Sequence, residues 1–358
     1  NPNLFISDTW RLNRRVTANL GLRFEHHDLF SRGGVKQASQ FGTPATYGEM
    51  DILTWDGAAP RAGVAWDVTG SGKTLLKGQW SRYLHMAAAN YGSSFNPATA
   101  TLTTYNWHDL NNNLLYEPGE VDLDPNGKDF AGLAQRSSAS GASTTPRPIV
   151  NPDLKQPHTD ETSMTFEQEL MTDTSFRGLW VYKRVQSTYG NVRILRPYSA
   201  WNIPITRRDP GPDGTAGNAD DGGLVTFWDF DPKYKGAAYE PTSPVNRDSA
   251  HDDVYNGFEL TMTKRQSRGW MALASFQMIK NHIWTGLSAT PSSPNDEFFP
   301  LDETWDWSGK MMGSYRAPYD VTVSGIYNLL AGLPPQRTYT FRNVPTATSL
   351  TLPLEALG

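Results

Sequence analysis

Strand-like segments in this sequence are joined in two alternating ways, and that alternation limits its fold more than any other feature. The stretch FISDTWRLNRRVTANLGLRFEHHD, Phe5 to Asp28, alternates apolar and polar residues, breaks for a short basic turn, and resumes the same period of two. PRAGVAWDVTGSGKTLLKGQW, TDETSMTFEQELMTDTSFRGLWVYKR, YNGFELTMTKRQSRGWMALASFQM and WSGKMMGSYRAPYDVTVSGIYNLL repeat the arrangement. Their tight turns fall at Thr69 to Lys73, Met171 to Thr174, Lys264 to Arg268 and Arg316 to Pro318. Between these pairs lie long connections, at about residues 28–59, 85–156, 186–250, 281–303 and 335–346. A compact soluble domain rarely carries several connections much beyond a dozen residues.

A transmembrane β-barrel has that asymmetry by construction: short periplasmic turns, long extracellular loops, and strands whose lipid-facing residues alternate with lumen-facing ones. The expected fold is therefore all-β, an antiparallel transmembrane β-barrel portion of about 10–11 strands from a larger barrel. Residues 1–358 read as one partial barrel domain. Val16, Ala18, Leu20, Leu22 and Phe24 share one face, and Thr17, Asn19, Arg23 and Glu25 the other. The same parity makes Arg23, Lys77, Glu167, Glu169, Arg177 and Glu259 lumen-facing, in contact with water or solute. Trp10, Trp66, Trp80, Trp180, Trp270 and Tyr315 suit the aromatic girdles of the lipid band. A soluble sandwich or propeller would reproduce the alternation but leaves the loop asymmetry unexplained.

Composition narrows the chemistry. The chain pairs 12 Trp, 15 Tyr and 15 Phe with a mean hydropathy of −0.54, so its aromatics serve a surface as well as a core. The absence of Cys excludes disulfides, thiolate metal sites and a Cys nucleophile. A net charge of −5 gives no basic footprint, and no nucleic-acid partner is expected. VTGSGKT, Val68 to Thr74, lacks the first Gly of a phosphate loop and leads into a strand, so a tight turn is expected there. No nucleophile-elbow motif is present, and the chain is not expected to be an enzyme.

With these hairpins in this order, the sequence resembles the barrel of TonB-dependent outer-membrane receptors, in particular the Oar-like branch. That resemblance implies an outer-membrane location in a bacterial cell, surrounding outer-membrane lipid, and a barrel of about twenty-two strands around a plug domain. It also implies uptake of a solute, of unknown identity, driven from the inner membrane through TonB, with the outer loops capturing the solute. Asn1 stands in mid-strand and SLTLPLEALG ends inside an alternating run, so a fragment lacking the plug and the C-terminal strands is expected. Two other readings fit the residues: a surface binding or adhesion barrel that moves nothing, and a soluble carbohydrate-binding β-domain with calcium-ordered loops.

Two loops suggest calcium. In DLNNNLLYEPGE, Asp109, Asn111, Asn113, Glu117 and Glu120 stand at positions one, three, five, nine and twelve of an oxygen cage, with Leu114 where a Gly is usual. Asp122, Asp124, Asn126 and Asp129 follow as a partial second set. The Gly-rich loop DPGPDGTAGNADDGG gathers Asp209, Asp213, Asp220 and Asp221, whose mutual repulsion a cation would relieve. Calcium is the one cofactor expected. Tyr105, Trp107, Trp201, Phe227 and Trp228 are candidate stacking surfaces for a solute in the outer segments.

Overall fold

The computed structural model describes residues 2–37, 44–87, 91–92, 94–95, 102–124, 128–135, 148–235, 239, 241–282, 292–297, 305–332, 336–344 and 347–356. Strands β1 (Asn3–Arg11) and β2 (Val16–Ser31) form a hairpin, followed by a small one of β3 (Gly34–Lys36) and β4 (Ala45–Tyr47). The long pair β5 (Met50–Asp67) and β6 (Thr74–Leu84) precedes the loop hairpin β7 (Leu102–Tyr105) and β8 (Phe130–Gln135). After β9 (His158–Met171) and β10 (Thr174–Gln186) come the loop strands β11 (Tyr189–Val192), β12 (Ile203–Arg208), β13 (Leu224–Asp229) and β14 (Ser243–Asn246). The main sheet resumes with β15 (Asp253–Ser267), β16 (Trp270–His282), β17 (Asp306–Arg316) and β18 (Thr322–Leu330), and β19 (Gln336–Val344) pairs with β20 (Ala347–Ala356).

Ten strands build one antiparallel meander in the order β1-β2-β5-β6-β9-β10-β15-β16-β17-β18, with β1 and β18 at its edges. The tight turns are fixed by local chemistry. Asn13 Oδ1 accepts the amides of Arg15 and Val16 at 2.8 and 2.9 Å. Asp67 accepts those of Gly70 and Gly72, both at 2.8 Å, and both glycines sit at φ +74°. Its carboxylate occupies the amides that a phosphate would need, so VTGSGKT is a hairpin turn. Arg268 and Gly269 have φ of +52° and +82°, the double positive φ of a two-residue hairpin connection.

Two expected loop boundaries are corrected. β2 runs to Ser31 and β5 starts at Met50, so much of 28–59 is paired strand that rises past the apolar rows. The polar residues there, His26, Asp28, Asp56 and Thr54, mask the strand period because they pair with one another across β2 and β5. Residues 336–344 form β19, where a loop of 335–346 was expected; its partner β20 supplies the ladder.

Among the described residues the main sheet buries large apolar side chains only at the loop end of β5, at Ile52, Leu53 and Trp55. One face is lined with open apolar side chains: Phe24 is 50% exposed, Met164 52%, Leu260 47% and Met311 58%; near the β18 edge Leu273, Met312, Ile326 and Leu330 stand on the other. Cross-strand register makes the face continuous, from Leu20 to Ala62 to Trp80, and from Phe166 through Gly178 to Leu260, Phe276 and Gly309. In water such a patch would be an aggregation surface. In lipid it is the expected exterior.

The upper limit of that exterior can be read strand by strand. On β2 the apolar row ends at Phe24 and the next outward residue is His26, held by Asp28 at 3.0 Å and Asp56 at 2.7 Å. On β6 it ends at Trp80, above which Arg82 binds Asp160 bidentately at 2.7 and 2.8 Å. On β10, Trp180 and Tyr182 stack at 6.3 Å and Arg184 follows, paired with Asp252 at 2.8 Å. From Val16 to Phe24 the strand rises about 26 Å at ~3.3 Å per residue, or about 20 Å along the normal once tilted by ~40°. That approaches the height of a lipid-facing band.

Candidate functional site

The face opposite the apolar one carries the charge. Lys77 on β6 contacts both carboxylate oxygens of Glu167 on β9, at 2.9 and 3.0 Å. Arg177 on β10 stands directly across from Glu167, with its Nε at 4.0 Å, and reaches Glu259 on β15 at 3.4 Å. Thr261 donates to the same Glu259 oxygen at 3.1 Å. Four of the expected lumen residues therefore form one ladder of alternating sign across four strands, because residues two apart on a strand share a face and adjacent strands lie within ion-pair reach.

Arg23 and Glu169 stand outside it. Arg23 pairs along its own strand with Glu25 at 2.7 Å, and Glu25 reaches the nearly buried His27 at 3.0 Å. Glu169 sits exposed at the turn end, where its amide donates to Lys73 O. Sequence reasoning missed Lys183 and Glu161, paired at 2.9 Å on the same wall. Their odd numbers on β10 and β9 carried the signal. Adjacent His26 and His27 point to opposite faces, as strand geometry requires.

The ladder residues are a third to nearly half exposed, so each pair contributes about 1 kcal/mol or less. Glu167→Gln leaves Lys77 and Arg177 facing each other; we expect a stability loss below about 1 kcal/mol that shrinks as salt rises, checked by urea unfolding at two ionic strengths.

Above the lipid band a buried core joins the loops to the loop end of β5. Ile52, Leu53, Trp55, Phe95 and Leu154 form it, with Trp55 4% exposed and its indole N–H donated to Leu154 O at 2.6 Å. Tyr91 packs edge-on to Tyr189 at 5.4 Å and tilted on Phe95 at 5.1 Å; burial pushes its phenol well above the usual range. A second cluster places Trp201 against Phe230 at 5.1 Å, with Arg196 stacked on the other ring at 3.9 Å. Phe227 is buried, and Asn295 clasps the backbone of Trp228 at 2.8 and 2.7 Å. Trp201 and Phe227 thus pack the loops and do not stand as free stacking surfaces, because an aromatic in a long loop is the cheapest apolar area for the loop to bury on itself.

The loop Asp109 to Glu120 is tightly wound. Asp109 accepts the amides of Asn113 and Leu114 at 3.2 and 2.9 Å, Asn111 accepts Asn113 N, and Asn113 accepts Leu115 N. Glu117 receives the side-chain amides of Asn111 and Asn113 at 2.8 and 2.9 Å. Leu114 has φ +59°, the conformation in which a Gly is usual. Glu120 is nearly buried and accepts Trp107 Nε1 and Glu117 N, both at 2.9 Å; the indole bond first, then the amides, hold its carboxyl below the usual range. Next to it, Asp129 accepts Asp122 N at 2.7 Å and contacts His108 at 2.9 Å, which lowers its pKa likewise. Asn126 lies outside the described residues.

In the other acidic loop three of the four carboxylates accept from donors of the loop itself. Asp209 takes Gly211 N, Asp213 takes Thr215 N and Asn218 Nδ2, and Asp221 takes Gly217 N, while Asp220 donates its own amide to Asn218. Among the described residues no three His, Asp or Glu side chains converge on a metal-sized point.

The model of the outer membrane beta barrel domain matches residues 1–332. No curated protein matches the chain. Among solved structures the chain is similar to the FrpB iron transporter from Neisseria meningitidis at 9% identity and a TM-score of 0.45, covering 95% of this chain and 32% of that one. The siderophore receptor PirA from Pseudomonas aeruginosa gives 8% and 0.39, with 96% and 42% covered. The outer membrane transporter YddB from Escherichia coli gives 10% and 0.42, with 98% and 46% covered. The chain thus spans less than half the length of each of these proteins. An antiparallel meander with an open apolar face fits that description, and the chain belongs to the outer membrane beta barrel domain family, with its place in the bacterial outer membrane.

Proposed function

We propose that this domain is barrel wall of a TonB-dependent importer of the Oar-like kind, in which the loop tier captures a solute and the charged wall faces a plug. The observation that supports it is the ladder Lys77, Glu167, Arg177, Glu259. A wall meant only to be filled with protein or to display loops has no need of alternating half-exposed charges, whereas a surface that must hold and release a movable plug or pass a hydrated solute does. Its pairs are individually weak and easily exchanged. No catalytic step enters this reading. The test is calorimetric titration of the full-length protein with the periplasmic C-terminal domain of TonB. Saturable binding is expected, and its absence would leave only display or adhesion.

Within the same reading the loop Asp109 to Glu120 takes calcium in the outer medium, with Asp109, Asn111, Asn113, Glu117 and Glu120 as oxygen donors. Titration of the full-length protein with calcium is expected to show saturable binding, weakened at least roughly tenfold by Glu120→Gln. The pH dependence has a definite sign. Glu120 binds its proton less tightly in the folded loop than in the unfolded chain, so its contribution is complete above the ordinary carboxylate range and is lost as pH falls through the lower folded value. Binding should follow the same course, and a calcium response unchanged by the substitution would remove the site.

A further inference from the structure

The turn end of the sheet is unusually basic. Arg11, Arg14 and Arg15 stand at the β1–β2 turn, Lys73 at β5–β6, and Arg265 and Arg268 at β15–β16, all exposed. None of these six makes an ion pair among the described residues. Two other rim cations are engaged: Arg316 is held by Asp320 at 2.6 Å, and Lys264 folds onto Ser267, the Arg265 carbonyl and the Trp270 ring. The carboxylate of Asp67 is spent inside its own turn, and the exposed acids of this rim besides Asp320 are Glu169, beside Lys73, and Asp173, beside Arg265. A chain of net charge −5 thus carries an excess of cations on one rim, six of them without an ion pair among the described residues.

A second observation identifies what the rim meets. Trp10, Trp66, Trp270 and Tyr315 point outward from the strand ends just above it, each more than 40% exposed. Beyond them Tyr319, at φ +66°, holds its ring 98% exposed at the tip of the β17–β18 turn. Amphipathic rings beside a lipid band sit at headgroup level. Free guanidinium groups at that level match phosphodiesters in charge and in bidentate geometry.

We infer that the turn rim is a docking surface for anionic phospholipid headgroups of the periplasmic leaflet. The inference rests on the reading that the short turns face the periplasm. The strength comes from several cations acting within one Debye length of a negative surface.

The test reconstitutes the full-length protein in nanodiscs of phosphatidylcholine alone or with a third phosphatidylglycerol of matched chains, and follows unfolding by loss of heat-modifiable mobility. Phosphatidylglycerol is expected to slow unfolding roughly tenfold at low salt, with most of the effect gone at 0.5 M salt. Arg14→Gln/Lys73→Gln/Arg265→Gln/Arg268→Gln should unfold at the wild-type rate in phosphatidylcholine and lose the response to phosphatidylglycerol. Equal wild-type rates in both lipids, or a response undiminished in the variant, overturn the inference; the salt series on the wild type decides if the variant does not fold. Sidedness is settled separately with Tyr319→Cys: protection from an impermeant maleimide in intact cells is expected, whereas labelling from outside would overturn the reading beneath.

Discussion

Met164→Arg is expected to destabilise the folded domain by about 2–4 kcal/mol, the largest effect of any single surface change in the sheet. Met164 is 52% exposed and stands between Gly78 and Trp180 in the apolar face. In water a half-exposed Met replaced by Arg would change stability by about 0.5 kcal/mol or less. In lipid the guanidinium has no water within reach except by snorkelling past neighbouring apolar rows. Gln79→Arg is the control: Gln79 is exposed on the charged face, near Lys77, and should shift stability by only about 0.5 kcal/mol. Urea unfolding of the full-length protein in bilayers measures both.

Trp55→Ala is expected to cost about 3–5 kcal/mol, but locally. The indole is almost fully buried, donates to Leu154 O, and joins β5 to the segments bearing Phe95, Leu154 and Tyr189. Its removal opens a cavity and leaves a buried carbonyl unpaired, while the sheet below loses nothing because its apolar side chains face outward. The expected result is faster protease cleavage and amide exchange in 85–95 and 148–157, with the heat-modifiable barrel intact. Loss of the barrel as well would show that loop core and sheet form one cooperative unit.

Most of the sheet was legible in the sequence because its period of two survives wherever one face is apolar. Val16 to Phe24 announce a strand, and the Gly-rich turn after Asp67 announces its partner. Legibility failed where lipid ends. Past Phe24 the outward residues are His26 and Asp28, so both faces are polar and the alternation disappears although the pairing continues to Ser31. The lumen ladder was half legible: parity identifies Lys77, Glu167, Arg177 and Glu259 as sharing a face, but their contact depends on register. In the loops, spacing identified Asp109, Asn111, Asn113, Glu117 and Glu120 as a set, and the structure winds that loop around its own amides. The sequence left Trp201 and Phe227 open between stacking on a solute and packing the loops, since nothing in a loop's sequence distinguishes the two; in the structure Trp201 packs on Phe230 and Phe227 is buried.

Successive residues of these strands see lipid and water in turn. The chain contains no Cys, so single cysteines can be placed without background. Phe258, Glu259, Leu260, Thr261 and Met262 are replaced one at a time in the full-length protein, spin-labelled in bilayers, and tested for collision with oxygen and with a water-soluble nickel chelate. Oxygen access is expected at 258, 260 and 262 and chelate access at 259 and 261. Uniform access, or the opposite phase, would contradict that alternation.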